Sequence, residues 1–153
     1  MRSFELKIPP VAVFLVFALI MWAASAALSA TSFALTGAST VAFVFGLIGT
    51  CIAVAGVLAF RRHDTTVNPM KPETTESVVI VGIYRLTRNP MYLGLALVLV
   101  GWAMYLSNLV ALLLVPVFVA YMTQFQIKPE ERALLEKFGP DFANYMSEVR
   151  RWI

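Results

Sequence analysis

From Ile8 to Phe60, and again from Asn89 to Ile127, the chain carries no Asp, Glu, Lys or Arg. Stretches of this kind have few ways to fold. A run of about 20 apolar residues spans the roughly 30 Å hydrocarbon layer as a helix, and lipid offers no partner to backbone groups left open by any other local structure. Within the two stretches, apolar runs lie at about 9–30, 37–60, 90–106 and 109–127. Only Ser107 and Asn108 join the last two, which predicts a tight antiparallel helical hairpin. Pro116 falls inside the fourth run and removes one helix hydrogen bond there. The expectation is an all-α membrane protein of about four transmembrane helices forming one domain, residues 1–153. With 59% hydrophobic residues, the chain is too apolar for a water-soluble domain of its size. A competing reading takes the first run as a signal peptide, with Arg2 and Lys7 before it and Ala24, Ala26 and Ala30 as small cleavage-site residues. The length of the run argues for a span instead.

Every Lys and Arg lies in the N-terminal tail, between Arg61 and Arg88, or after Gln126. The positive-inside rule then places both termini, the central loop 61–89 and the tail 128–153 in the cytoplasm. The net charge of +3, from 12 Lys+Arg against 9 Asp+Glu, is too small and too mixed for a nucleic-acid footprint and suits membrane lipid headgroups. No metal site is expected, because His63 is the single histidine and Cys51 the single cysteine. Cys51 reads as a packed small hydrophobe. In the second run, Ala42, Gly46, Gly49, Ala53 and Gly56 form one stripe of small residues. Such a stripe is a close-packing seam for another helix of this chain or of a second copy. Oligomerisation is therefore possible but not expected.

The central loop holds Pro69, Pro72, Gly82 and Pro90 as punctuation, and its apolar VVIVGIY run needs burial against the helix ends. In the tail, PEERALLEKF reads as a helix with Pro129 in its first turn and Glu130 and Glu131 at its positive end, stopped by Gly139-Pro140. Phe142, Tyr145, Met146, Val149 and Trp152 then recur at helical spacing, and Arg151 and Trp152 suit a helix lying in the headgroup region.

Neither a glycine-rich dinucleotide loop nor a phosphate-cradling GxxxxGK is present. Two polar groups remain. Arg85, Arg88, Asn89 and Tyr92 stand at the mouth of the third span, and Glu130 and Glu131 stand just beyond the fourth. The hairpin makes these ends neighbours, so a cation and an anion should meet at the membrane surface. The plain alternative is that the arginines snorkel to lipid phosphates while the glutamates cap a helix.

The segments TTVNP, VVIVGIYRLTRNPMYLG and KPEERALLEKFGPDFANYMSEVRRW, in that order from about Asp64 to the C-terminus, resemble the family of isoprenylcysteine carboxyl methyltransferases and phospholipid methyltransferases, in its bacterial-type RNP form. The resemblance implies a membrane methyltransferase of the bacterial inner membrane that uses S-adenosylmethionine and releases S-adenosylhomocysteine. It implies that Glu131 and Arg88 serve catalysis. Val79, Val81, Gly82, Tyr84, Asn89, Pro90, Tyr92 and Glu130 would bind the cofactor: the backbone from Val79 to Gly82 and the Tyr84 ring along the nucleoside, Tyr92 closing the pocket. The cofactor's ammonium and sulfonium call for an anion such as Glu130 or Glu131, and its carboxylate calls for donors such as Arg88 or the Asn89 amide.

Asn89 stands where the eukaryotic carboxyl methyltransferases have histidine, Ile80 and Ile83 stand where Thr and Pro are frequent, and Gln126 stands in place of an arginine. The implied acceptor is a lipid or lipophilic small molecule, methylated on a carboxylate, an amine or a thiol. The reading from a different class is a non-enzymatic packing or lipid-binding subunit whose loop contacts a partner.

Overall fold

The structure, a computed structural model, describes residues 6–62 and 81–153. The described residues form six helices: α1 (Pro10–Ala27), α2 (Ala38–Arg62), α3 (Pro90–Leu106), α4 (Leu109–Met122), α5 (Lys128–Phe138) and α6 (Pro140–Glu148). Short 3₁₀ turns lie at Ser29–Thr31 and Gly82–Arg85, and a widened turn at Thr123–Ile127 joins α4 to α5. No strand occurs among the described residues. Three segments are long and apolar enough to cross a membrane, Pro10–Ala27, Ala38–Ala59 and Leu109–Phe138, and α3 is a shorter apolar helix. Large side chains such as Leu15, Leu19, Trp22, Phe43, Leu113 and Val117 point outward. That is the reverse of a soluble domain and what lipid contact requires.

α3 and α4 supply most of the core, with Tyr92, Leu99, Ala103, Ala111, Phe118 and Met122 buried together and Val13 and Met21 of α1 against them. Against α2 the packing is of another kind. A Cβ placed on Gly49 would lie 2.6 Å from the Gly94 carbonyl oxygen, and one on Gly101 would lie 2.8 Å from the Ala42 carbonyl oxygen. The small-residue stripe of α2 therefore has its mate in α3 of the same chain, and backbone meets backbone along the seam. Cys51, two residues from Gly49 and so on the opposite helix face, is exposed rather than packed. A Cβ on Gly94 would collide with the Gly49 carbonyl and sit 2.7 Å from Ala53 Cβ, whereas one on Gly46 meets nothing within 4 Å. Gly94→Ala is expected to cost about 1–3 kcal/mol through overpacking, and Gly46→Ala to be neutral or mildly stabilising. Thermal unfolding of the two detergent-solubilised variants checks the contrast.

At the uncharged end, Asn108 ties three connections together. Its Oδ1 accepts from Val110 N (3.0 Å) and Ala111 N (3.2 Å), capping α4, while its Nδ2 donates to Leu28 O (3.1 Å) and Thr31 Oγ1 (2.8 Å). Ser107 before it adopts a left-handed φ of 48° and closes the hairpin.

At the charged end the chain differs from its sequence-based expectation in two ways. α5 does not start afresh: the run Leu109–Phe138 continues through the widened turn, where Lys128 N donates to Thr123 O. Glu130 and Glu131 thus sit inside a continuous helix, and no free helix N-terminus faces them. Pro129 has no N–H for the Phe125 carbonyl four residues back, and that carbonyl accepts from Leu6 N (3.2 Å). A 30-residue helix is about 45 Å long against an apolar layer of about 30 Å, so the charged α5 projects beyond it. The last helix, α6, ends at Glu148, earlier than the periodicity predicts. Val149 is extended at its C-cap, and the strap that follows folds back onto the start of α3.

Candidate functional site

The site grows from the turn Thr87–Pro90, which links the Gly82–Arg85 turn to α3. Pro90 opens α3 at the position where a missing N–H costs least. Thr87 is buried, and its Oγ1 accepts from Asn89 N (3.2 Å) and donates to Arg151 O (3.3 Å). Asn89 gives its amide Nδ2 to the same carbonyl (2.9 Å), and Arg88 N donates to Arg150 O (3.0 Å). The RNP turn is thus held by the main chain of the C-terminal strap.

Arg88 is the hub. Its Nη1 donates to Met146 O (2.7 Å) and Val149 O (2.8 Å), carbonyls at and just past the C-terminal end of α6, and its Nη2 donates to Glu131 Oε1 (2.7 Å). Arg151 completes the pairing as a fork, Nη2 to Glu131 Oε2 (2.6 Å) and Nε to Glu131 Oε1 (3.0 Å). The side chains of Arg88 and Glu131 are only 9% and 10% exposed, against 33% for Arg151. Burial pushes the Glu131 carboxyl up, but hydrogen bonds from Arg151 and Arg88 and their charges outweigh it and hold the group below the ordinary carboxylate range. The Arg151 guanidinium is raised, chiefly by its hydrogen bond to Glu131.

Glu130, its neighbour, has the opposite environment. Its Oε1 accepts from the Tyr92 hydroxyl, and no cation pairs with it among the described residues. Burial pushes its carboxyl up to about 8; the Tyr92 hydrogen bond acts against that rise and the Glu131 charge adds to it. Tyr84 is also buried, near enough to Glu130 and Tyr145 to feel both, and its carbonyl accepts from the Tyr145 hydroxyl (2.7 Å). One helical turn back toward the membrane, Gln126 is 1% exposed; its Nε2 donates to Ile8 O (2.7 Å) and its Oε1 has no partner among the described residues.

The structure therefore joins Arg88, Asn89, Pro90 and Glu131 in one cluster and Tyr84, Tyr92 and Glu130 in the next. Gly82 opens the turn toward Tyr84 with a left-handed φ of 59°, preceded by the exposed Val81. Val79 lies outside the described residues. Arg85 is exposed and enters no ion pair with the acid pair. Sequence reading missed Arg151, Thr87 and Trp152 as members of the site. The available signal was the pair Arg150-Arg151 directly after the tail helix, in a chain with two adjacent acids just beyond its fourth apolar run. Trp152 packs against the core, and its Nε1 donates to Thr123 Oγ1 (3.0 Å) in the widened turn. No cluster able to hold a metal ion occurs among the described residues.

These features define an all-α membrane protein with an acid and arginine site at the polar end of its helices. The phospholipid methyltransferase family model matches residues 38–141, about two thirds of the chain. The chain belongs to that family and is a membrane methyltransferase. It is also similar to an uncharacterized protein of Haemophilus influenzae, 44% identical over 63 residues that make up 41% of this chain and 100% of the relative. No solved structure matches.

Proposed function

We propose that the protein transfers a methyl group from S-adenosylmethionine to a lipophilic acceptor, with its polar end on the cytoplasmic side of the bacterial inner membrane. The observation that carries this reading is the unequal state of two adjacent carboxyls. Glu131 is balanced by two guanidiniums, while Glu130 is held by Tyr92 and faces no cation among the described residues. A carboxyl with no cation beside it among the described residues, at the polar end of an apolar bundle, suits a small cationic ligand that favours its ionised form. The donor set fits this cofactor: Glu130 for its positive charge, the tyrosine rings Tyr84 and Tyr92 beside it, and the open backbone around Val81 and Gly82 for the nucleoside. The bound cofactor supplies a methyl group activated by a sulfonium.

The chain's own residues then have separate tasks. Tyr92 orients Glu130; Arg88, Glu131 and Arg151 fix the turn that carries Asn89 and Pro90; the apolar helices hold the acceptor and exclude water. Excluding water and aligning reactants is most of what such a transfer demands. Arg88 and Glu131 are committed to each other and to the strap, so they act as positioning residues, and Glu130 is the group free to handle a proton. Among acceptors, an amine fits best. The buried Gln126 Oε1 needs a hydrogen-bond donor, and a carboxylate placed there would add a second unpaired acceptor.

Calorimetric titration of the purified protein with S-adenosylmethionine and S-adenosylhomocysteine tests the cofactor. Binding is expected to weaken at least tenfold in Glu130→Gln, and a folded wild type that binds neither ligand refutes the enzyme. Transfer of a labelled methyl group to a bacterial lipid extract tests the acceptor. Base-stable product is expected for N-methylation, and base-labile product would mark a carboxylate ester.

A further inference from the structure

We propose that Arg151, on the C-terminal strap, is a positioning residue for the cofactor-facing Glu130, acting through its fork on Glu131. The inference rests on the cofactor reading above and goes beyond it to a segment outside the residues that the family model covers. Among the described residues, the second guanidinium on Glu131 comes from the strap. Arg88 meets Glu131 at Oε1 and has spent its other amine on Met146 O and Val149 O, so Oε2 is held by Arg151 alone among the described residues. The strap is pinned from both sides, by the turn donors to its carbonyls and by Trp152 on Thr123. A pinned main chain fixes where the Arg151 fork lies, and a two-point fork fixes a carboxylate plane as one bond cannot.

The consequence reaches Glu130 because the two acids are sequence neighbours on one helix. Among the described residues, the titratable groups facing Glu130 are Tyr92 from α3, Tyr84 from the Gly82–Arg85 turn and Glu131 from α5 itself, while α1 and α4 bring no charged side chain. Of these only Glu131 carries a charge that a partner can cancel. With Arg151 in place, that charge is spread over two guanidiniums. Without it, half of the balance is gone and the ionised form of Glu130 is disfavoured at the moment a cation needs it.

The test uses the full chain in detergent and titrates S-adenosylmethionine from pH 6 to 9 into wild type, Arg151→Ala and Arg151→Lys. Arg151→Ala is expected to lower affinity at pH 7 about tenfold and to move the pH midpoint of binding up by about one unit. Added guanidinium ion should restore part of both, since Arg151 is partly exposed. Arg151→Lys keeps the charge but not the fork, and is expected to shift the midpoint in the same direction by less, so it carries the test if the alanine variant does not fold. Variants with the wild-type midpoint overturn the inference. So does affinity that falls only in step with melting temperature, because the strap then serves folding alone. A wild type that binds nothing overturns the cofactor reading itself.

Discussion

Replacing Glu131 with alanine is expected to lower the protein's stability by about 3–5 kcal/mol, the usual cost of removing one partner from a buried charge cluster. The change leaves the Arg88 guanidinium, 9% exposed, with no carboxylate, and its Nε already lacks a hydrogen-bond partner among the described residues. The Arg151 share is smaller, because that side chain is one-third exposed and water can take over part of its solvation. At about 2–4 °C per kcal/mol for a chain of this length, the unfolding midpoint should fall by about 10 °C. Glu131→Gln keeps two polar atoms and the shape, and should fall less. In the Arg88→Ala/Glu131→Ala double variant the loss should be well short of the sum of the singles, because neither leaves the other's charge stranded. The pH dependence follows with a definite sign. The Glu131 carboxyl lies below its unfolded value, so its contribution is present above the ordinary carboxylate range and is lost as pH falls through the depressed folded value. Thermal scans of wild type and Glu131→Gln from pH 7 to pH 3 should therefore converge at the acid end. A Glu131→Ala protein within about 1 kcal/mol of wild type would mean that the cluster is not held as the distances suggest.

The membrane helices were legible because their signal is long and strong. The α3 bounds expected at 90–106 are those observed, and α1 and α2 shift by a few residues at their ends. The small-residue stripe was visible too, but its partner was not. Gly94 and Gly101 stand seven residues apart in a helix too short and too apolar to advertise one face. The acid and arginine pairing followed from the hairpin, because Ser107 and Asn108 leave no slack and the polar ends of α3 and α4 must meet. What the sequence hid lies where local propensity and tertiary contact disagree. Pro129 reads as a helix start, yet the uncharged TQFQI segment before it carries the helix on through a widened turn, and Leu6 takes up the carbonyl that Pro129 leaves. Val149 to Trp152 reads as one more helical turn with an interfacial tryptophan. The donors on Thr87, Arg88 and Asn89 outweigh that preference and draw the segment out as a strap. Such a preference for extended chain exists only once the turn before α3 meets the end of α6, so no window of the sequence contains it.

The affinity for S-adenosylmethionine is expected to rise with pH between about 6 and 8 and then level off, by up to tenfold per unit where Glu130 titrates. The Glu130 carboxyl is pushed up to about 8, mainly by burial, so at neutral pH the site without ligand holds a proton. A cation beside Glu130 favours its ionised form, and binding at pH 7 must therefore expel that proton. The same linkage runs through folding with the opposite sign to Glu131. The Glu130 group lies above its unfolded value of 4.5, so its contribution is present below that value and is lost as pH rises through the folded value near 8. Ligand-free protein should thus lose stability across a window in which affinity for the ligand grows. Titration in two buffers of different ionisation enthalpy reads the released proton directly, and Glu130→Gln should abolish both the release and the slope. S-adenosylhomocysteine, which keeps the ammonium but has a neutral sulfur, separates the two cations that Glu130 could face. If its affinity is flat while that of S-adenosylmethionine climbs, Glu130 faces the sulfonium and the carboxyl stands beside the bond that breaks. If both climb together, Glu130 holds the amino-acid end, and the reacting sulfur lies elsewhere along Tyr84 and Tyr92. A flat response to both ligands would remove Glu130 from the site.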